Sequence, residues 1–353
     1  MPRLPVSLST LGRERLISMA AGVVGEVVEN LYRRHPEWES QYGAQGREYC
    51  RKDLTYHLDY VRTCIETGYS DPFREYARWL ASVLEGKGIP ASHLAESFEM
   101  LAEAWATRLA QPDYALVDAV LWTGVAALEE SGEYQPSFYR HLAPCDPAAP
   151  TLSAALIAGD RGTARRMVFE PIEQGSELVD VGVRLIQPAM YEIGRLWQVS
   201  KASIAQEHLA TAITESLMAQ AFATAEFAPP VQRKALFSCV QGNHHELGLR
   251  MVSDAFEVKG WEVQFLGADT PTQSLLEQVD RFRPDLVGLS ISMPSQVSTG
   301  REAIQSIRGD GSAGRPAVLI GGLALNQLDG LWRDLNADLW GANAREALRE
   351  AHT

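Results

Sequence analysis

The chain has 353 residues, a net charge of −13, 46% hydrophobic and 22% charged residues, the balance of an ordered globular protein with room for two or three domains. With no Lys/Arg stripe to neutralise phosphates, this acidity argues against nucleic acid as a direct partner. No apolar run approaches the roughly 20 residues of a membrane span and the N-terminus lacks a signal-peptide pattern, so no membrane partner and a cytoplasmic location are expected.

Residues 10 to about 142 have helical periodicity, with breaks at His35-Pro36, at Gly68-Tyr69-Ser70-Asp71-Pro72, at Gly88-Ile89-Pro90 and at Gln111-Pro112. Cys145-Asp146-Pro147-Ala148-Ala149-Pro150 is a Pro/Ala-rich connector. A second helical block runs from 151 to about 228 and stops at Pro229-Pro230; in it a helix ends over Glu192–Ser200, and Ser203-Ile204-Ala205-Gln206 reads as a capping box opening the next. Strand and helix then alternate five times, with strands near 235–240, 262–266, 285–292, 316–320 and 337–340. That alternation demands a parallel, doubly wound sheet. The plan is therefore multidomain, α followed by α/β, in parts 1–148, 149–230 and 231–353. The cysteines Cys50, Cys64, Cys145 and Cys239 form no Cys-x-x-Cys pair, so neither a disulfide framework nor a zinc site is implied.

Open α/β sheets bind ligands at the carboxyl ends of their strands. After the first strand stands Gly242-Asn243-His244-His245-Glu246-Leu247-Gly248; the third ends on Ser290-Ile291-Ser292 and the fourth on Gly321-Gly322. A neutral imidazole suits a transition metal, and small residues leave a slot beside it. Alone, the His pair also fits the surface of an ordinary flavodoxin-like domain. In order, these elements resemble the cobalamin-binding domain of methionine synthases, corrinoid proteins and cobalamin photoreceptors, whose motif is Asp/Glu-x-His-x-x-Gly, then Ser-x-Leu or a variant, then Gly-Gly. The resemblance implies His245 as the lower cobalt ligand, Gly248 as the motif glycine, and Ser290, Ser292, Gly321 and Gly322 beside the displaced nucleotide tail. The departure is Asn243, where the family has a carboxylate on the ligating ring; an amide makes an imidazole less basic, so a weaker cobalt bond is expected.

Trp197, followed ten and eleven residues later by Glu207 and His208, resembles the signature of adenosylcobalamin photoreceptors, in which a four-helix bundle caps the corrin. That likeness implies Trp197 and Glu207 beside the adenosyl group and His208 as a cobalt ligand after light breaks the cobalt–carbon bond. Read singly, Trp197 is equally a core residue and Glu207 a helix N-terminal charge.

Cys50, Arg51, Lys52, Asp53, Tyr56 and His57 fall along a single predicted helix, Cys50 and Asp53 three apart and Tyr56 and His57 a turn further, so Cys50, Asp53, Tyr56 and His57 are read as one face. This segment resembles the chromophore helix of phycobiliproteins, which are globin-like. The likeness implies Asp53 as acceptor of bilin pyrrole N–H groups, Arg51 or Lys52 on a propionate, Cys50 as a possible thioether, and Tyr56 and His57 as pocket walls; haem on His57 or His93 is the rival tetrapyrrole. The whole plan resembles the photocobilins. It implies a non-enzymatic light sensor with adenosylcobalamin and a bilin such as biliverdin. No kinase, cyclase or DNA-binding segment follows Thr353, so output through a light-dependent homo-oligomer or a downstream protein is expected. The alternatives are a corrinoid methyl carrier of a methyltransferase system, and a cobalamin-only light sensor whose ligand-free globin-like domain serves for docking.

Overall fold

Apolar residues spaced three and four apart fold residues 10–128 into seven helices: α1 (Thr10–Ser18), α2 (Ala20–Arg34), α3 (Trp38–Tyr42), α4 (Gly46–Thr67), α5 (Asp71–Glu85), α6 (Ala91–Ala106) and α7 (Asp113–Leu128). The structure is a computed structural model and describes residues 4, 7–130, 144–309, 315–327 and 330–352. It falls into two compact units, residues 1–136 and 137–353. The last part of the expected helical block, 131–142, lies outside the described residues.

In the first unit α2 buries Val23, Val24, Val27, Val28 and Leu31, the stripe its sequence carries. Helix α7 packs on α5 and α6, and α2 on α4 and α6. Phe73, Phe98 and Trp105 are fully buried, and Gly124 lets the first two rings reach the α7 backbone. Helix α4 stops at Gly68, left-handed at φ 77°, whose N–H returns to the Cys64 carbonyl. The four expected breaks all fall at helix boundaries, Asp71 and Pro72 of the second opening α5. Two more interrupt the pattern, at Met19 and over Gly43–Gln45. Met19 carries no breaker chemistry, so nothing local marks that stop.

The second unit opens with α8 (Ala149–Ala158), α9 (Arg161–Glu173), α10 (Leu178–Val181), a π-helical turn (Gly182–Ile186), α11 (Gln187–Gln198) and α12 (Ile204–Ala223). The π turn has a local cause in Pro188, which has no N–H to give back to Arg184. The freed Arg184 carbonyl accepts instead from the Asp146 N–H at 2.8 Å. Leu152, Leu156, Val168, Ile186, Ile193 and Ile213 share one core among these helices.

The sheet follows: β1 (Lys234–Cys239), β2 (Glu262–Phe265), β3 (Leu286–Ser290), β4 (Ala317–Gly321) and β5 (Leu339–Trp340), interleaved with α13 (Leu247–Val258), α14 (Thr272–Phe282), α15 (Val297–Arg308), α16 (Leu323–Gln327), α17 (Leu331–Asp334) and α18 (Ala344–Ala351). All pairings are parallel, in the order β2-β1-β3-β4-β5. Alternate residues bury on opposite faces. Leu236, Val287, Leu289, Val318 and Ile320 pack toward α14 and α15, while Ala235, Phe237, Leu286 and Leu319 pack toward α13 and α18. The chain leaves β1 for β2 on one side and crosses to β3 on the other, so a crevice opens between the carboxyl ends of β1 and β3.

Within this unit the helical layer is seated on α13 and α18. Leu247 and Met251 join the core of the helices, and Val179 and Val183 pack with Ala255 and Ala344. Glu177 pairs with Lys259 at 2.9 Å and with Arg345 at 3.3 Å, and Arg345 also pairs with Asp180. No helix among the described residues is long and apolar enough to cross a membrane.

Candidate functional site

At the crevice between β1 and β3, Gly242 turns the chain at φ 81°, a left-handed conformation that suits glycine. Its N–H donates to Asp269 Oδ1 at 2.7 Å, and its carbonyl accepts from Gln296 Nε2 at 2.9 Å. Asn243 is wholly buried. Its Nδ2 donates to the Ser290 carbonyl at 2.9 Å, and its Oδ1 accepts the His245 backbone N–H at 3.0 Å. The His245 side chain is left exposed. Crowding by protein lowers its pKa, the carboxylate of Glu207 pulls it back up and His244 lowers it, so the imidazole is largely neutral and fit to ligate.

Ser290 and Ser292 close β3 in buried positions. Gln296 Oε1 accepts the N–H groups of Ser292 and Met293 at 3.1 and 3.0 Å, so this one side chain ties the β3 loop to the β1 loop. The Gly321 carbonyl accepts the Ile291 N–H at 2.9 Å. Gly322, at φ 107°, lies where a Cβ would drive into the Ile291 backbone. Gly248, on the first turn of α13, is exposed, and a Cβ there meets nothing within 4 Å; internal packing therefore gives no reason for a glycine there.

Helix α12 opens with the expected capping box, Ser203 Oγ accepting from Gln206 N–H at 3.2 Å and Gln206 Oε1 from Ser203 N–H at 2.9 Å. It presents Glu207 and His208 in its first turn, 3.6 Å apart as a pair, with Thr211 donating to Glu207 at 3.1 Å. Trp197, near the end of α11, is 44% exposed. Together the structure joins Asn243, His245 and Ser290 at one crevice and sets Glu207, from the helical layer, within electrostatic reach of His245. Among the described residues no group of three or more His, Cys, Asp or Glu could hold a bare metal ion. A single free imidazole beside small residues fits a metal that arrives with its equatorial ligands already in place.

The first unit distributes its sequence candidates differently. His57 and Tyr56 do not share a wall: Tyr56 is exposed, whereas His57 is core, because consecutive helical positions diverge by about a quarter turn. His57 Nδ1 meets the Tyr76 hydroxyl at 2.7 Å, and burial drives its pKa down to about 3. Arg51 and Lys52 are exposed beside Glu48, at 3.4 and 4.0 Å. Cys50 and Asp53 are partly buried; burial and then Asp53 push the Cys50 thiol up to about 12. Burial also raises Asp53 to about 6 against the opposing charge of Lys87. His93 meets Tyr42 at 3.2 Å, and its ring lies tilted against Trp38 with centroids 4.5 Å apart. Sequence reasoning missed Lys87, Asp269 and Gln296. The latter two stand at strand carboxyl ends, where polar side chains are expected to organise loops.

A corrinoid-binding α/β domain with a helical partner is the class that this crevice and its imidazole define. Residues 233–349 match the B12 binding domain family, and residues 149–221 match a second B12 binding domain family; the chain carries a cobalamin-binding module. The dimethylamine corrinoid protein 2 of Methanosarcina acetivorans is 26% identical over 207 residues, 57% of this chain and 92% of that protein. The HTH-type transcriptional repressor CarA of Myxococcus xanthus is 40% identical over 90 residues, 26% of this chain, which spans only 31% of the repressor's length. Among solved structures, the monomethylamine corrinoid protein of Methanosarcina barkeri is similar at a TM-score of 0.49 and 16% identity, over 57% of this chain and 95% of its own.

Proposed function

We propose that the chain is a non-enzymatic, cytoplasmic light sensor whose second unit holds adenosylcobalamin between a four-helix bundle and the sheet. The observation that carries this reading is the pairing of Glu207 with His208 on α12, with Glu207 in electrostatic reach of His245: a carboxylate and an imidazole of the helical layer stand near the imidazole of the crevice. Bound adenosylcobalamin supplies a cobalt–carbon bond that light breaks. His245 holds the lower side, Ser290, Ser292, Gly321 and Gly322 give room to the nucleotide tail, and Trp197 and Glu207 wall the upper side. His208, 70% exposed, is free to swing in as the upper ligand. A close-packed helical core answers such an exchange by repacking, and self-association of the chain is the output that this reading assigns, passed on to a downstream protein.

The same reading gives the first unit, globin-like in plan, a bilin such as biliverdin. Asp53 supports it: a partly buried carboxylate that accepts no hydrogen bond from a described residue, as an acceptor for pyrrole N–H groups requires. Cys50 stands one turn before it as an anchor, with Lys87, Lys52 or Arg51 for the propionates.

The test is an absorption spectrum of the chain purified in darkness with adenosylcobalamin and biliverdin, before and after green light. The expected result is cobalamin bands that change irreversibly to a bis-imidazole form, a change that His208→Ala abolishes, beside a far-red bilin band that Asp53→Ala abolishes. Unchanged cobalamin bands remove the sensor reading. One observation favours a second reading, a corrinoid methyl carrier: the match to the dimethylamine corrinoid protein covers 92% of that protein. In that case bound methylcobalamin loses its methyl group to a thiol in the dark. If only the bilin band fails to form, a cobalamin-only sensor with a docking domain is left.

A further inference from the structure

The turn that carries His245 is held by the side chains of Asp269 and Gln296 from two other loops, and Asn243 lies at its centre. The orientation of the Asn243 amide is fixed by its partners, because the Ser290 carbonyl only accepts and the His245 backbone N–H only donates. The amide oxygen is thus spent on main chain, and the amide nitrogen on the Ser290 carbonyl, with the Ser290 hydroxyl a longer second acceptor at 3.4 Å. The Asn243 backbone carbonyl is taken as well, by the Asp269 N–H at 2.9 Å. Neither ring nitrogen of His245 receives a hydrogen bond from any described residue.

An aspartate at 243 could still accept from the His245 N–H, but it has no N–H to give Ser290. Its charge would sit wholly buried against a carbonyl oxygen, with the Ser290 hydroxyl, 3.4 Å from the present amide nitrogen, as the one nearby side-chain donor, a costly arrangement in a protein interior. The amide is what the acceptor demands. Building on the cobalamin-binding reading, we infer that Asn243 is a positioning residue that locks the His245 turn through the backbone and leaves the imidazole without a protein partner, so that this chain offers cobalt an unassisted histidine.

The experiment compares the full-length wild type with Asn243→Asp, Asn243→Ala and Ser290→Ala. Ligand-free protein is read by amide hydrogen exchange over residues 243–246. Protein loaded in the dark with cob(II)alamin is read by electron paramagnetic resonance, where nitrogen splitting counts the histidine-ligated fraction. At pH 7.5, Asn243→Asp and Asn243→Ala are expected to speed exchange at the His245 amide about tenfold, the loss of about one hydrogen bond to a buried group, and to lower the ligated fraction. Ser290→Ala is expected to keep most of the wild-type protection, because Ser290 holds the amide chiefly through its carbonyl at 2.9 Å and its hydroxyl stands off at 3.4 Å. The inference is overturned if Asn243→Asp keeps its protection and raises the ligated fraction, since the carboxylate has then found the ring. It is equally overturned if Asn243→Ala exchanges like the wild type, a result that stands even where the aspartate variant does not fold. Failure of all four proteins to take up cobalamin sinks the cofactor reading alone; the ligand-free exchange still decides the role of Asn243.

Discussion

The imidazole of His57 and the hydroxyl of Tyr76 meet at 2.7 Å inside the first unit, nineteen residues apart in sequence, with the ring of Phe98 set edge-on at 5.0 Å. The pair is sealed from water, and its energetics follow from that. Burial holds His57 at a pKa of about 3 against the ordinary 6.5, so the unfolded chain binds a proton that the folded unit refuses. The stability contributed by neutral His57 is complete above about pH 6.5 and falls as the pH drops toward 3. Replacing His57 by Ala opens a cavity and orphans the Tyr76 hydroxyl; the expected cost is about 2–4 kcal/mol. Calorimetry of the full chain should show the first unit's transition moving down at neutral pH and losing part of its acid sensitivity.

Asp53 titrates with the opposite sign one helical turn earlier. Its folded pKa, about 6, lies above the ordinary 3.8 because burial outweighs the attraction of Lys87. Here the folded state binds the extra proton, so stability is greatest below about pH 4 and declines as the pH rises through 6. Asp53→Asn is expected to stabilise the ligand-free chain by about 1 kcal/mol at pH 7 and to change nothing near pH 4. Melting at the two pH values checks this. With the Asp53 slope removed, the His57 slope should also steepen the acid limb that the two groups partly cancel in the wild type. Equal melting of wild type and Asp53→Asn at pH 7 would mean that the carboxylate is better solvated than its position indicates.

These two residues also mark how far the sequence could be read. The breaks at His35-Pro36 and Gln111-Pro112 announce themselves through proline, and every strand end announces itself through glycine, serine or proline chemistry; the helices and the parallel alternation of strand and helix followed from that punctuation, whereas the strand order did not. The stop at Met19 carries no such mark. Spacing placed His57 near Asp53 on one helix, but only the packing of α5 and α6 against α4 determines that His57 meets Tyr76 rather than a ligand. In the second unit the motif residues came to the crevice because a parallel sheet brings its strand ends together whatever the loops contain. What periodicity does not carry is the partner of a side chain. The bond from Asn243 to a main-chain carbonyl 47 residues away, and the bridging of two loops by Gln296, depend on register between strands that no local pattern encodes.

Gly322 gives a prediction that needs no cofactor. At φ 107° it occupies backbone space that L side chains rarely enter, and a methyl there collides with the Ile291 carbonyl and amide. Backbone on both sides is fixed by the ladder between Ile291 and Gly321, so neither wall yields. Gly322→Ala should cost more than about 3 kcal/mol and appear mostly as insoluble protein. Gly248→Ala, with open space around its Cβ, is expected to fold normally; on the reading that this space receives the corrin tail, its defect is confined to cobalamin uptake, measured by the absorbance retained after desalting.

The adjacent histidines offer two candidates for one cobalt, and the backbone separates them. The His245 N–H is pinned to Asn243 Oδ1, which fixes where its Cβ leaves the turn, and crowding together with His244 lowers its pKa, outweighing the pull of Glu207. The His244 ring is as exposed as that of His245 and equally without a hydrogen bond to a described residue, so what separates the two is the backbone: Asn243 Oδ1 holds the His245 N–H and not that of His244. His245→Ala is therefore expected to lower cobalamin retention by about tenfold or more and to erase the nitrogen splitting of bound cob(II)alamin, with the melting of the ligand-free chain unchanged because the exposed ring supports no core. His244→Ala should keep both retention and splitting. Splitting that survives in His245→Ala and disappears only in the double variant would assign the ligand to His244 and displace His245 from the site.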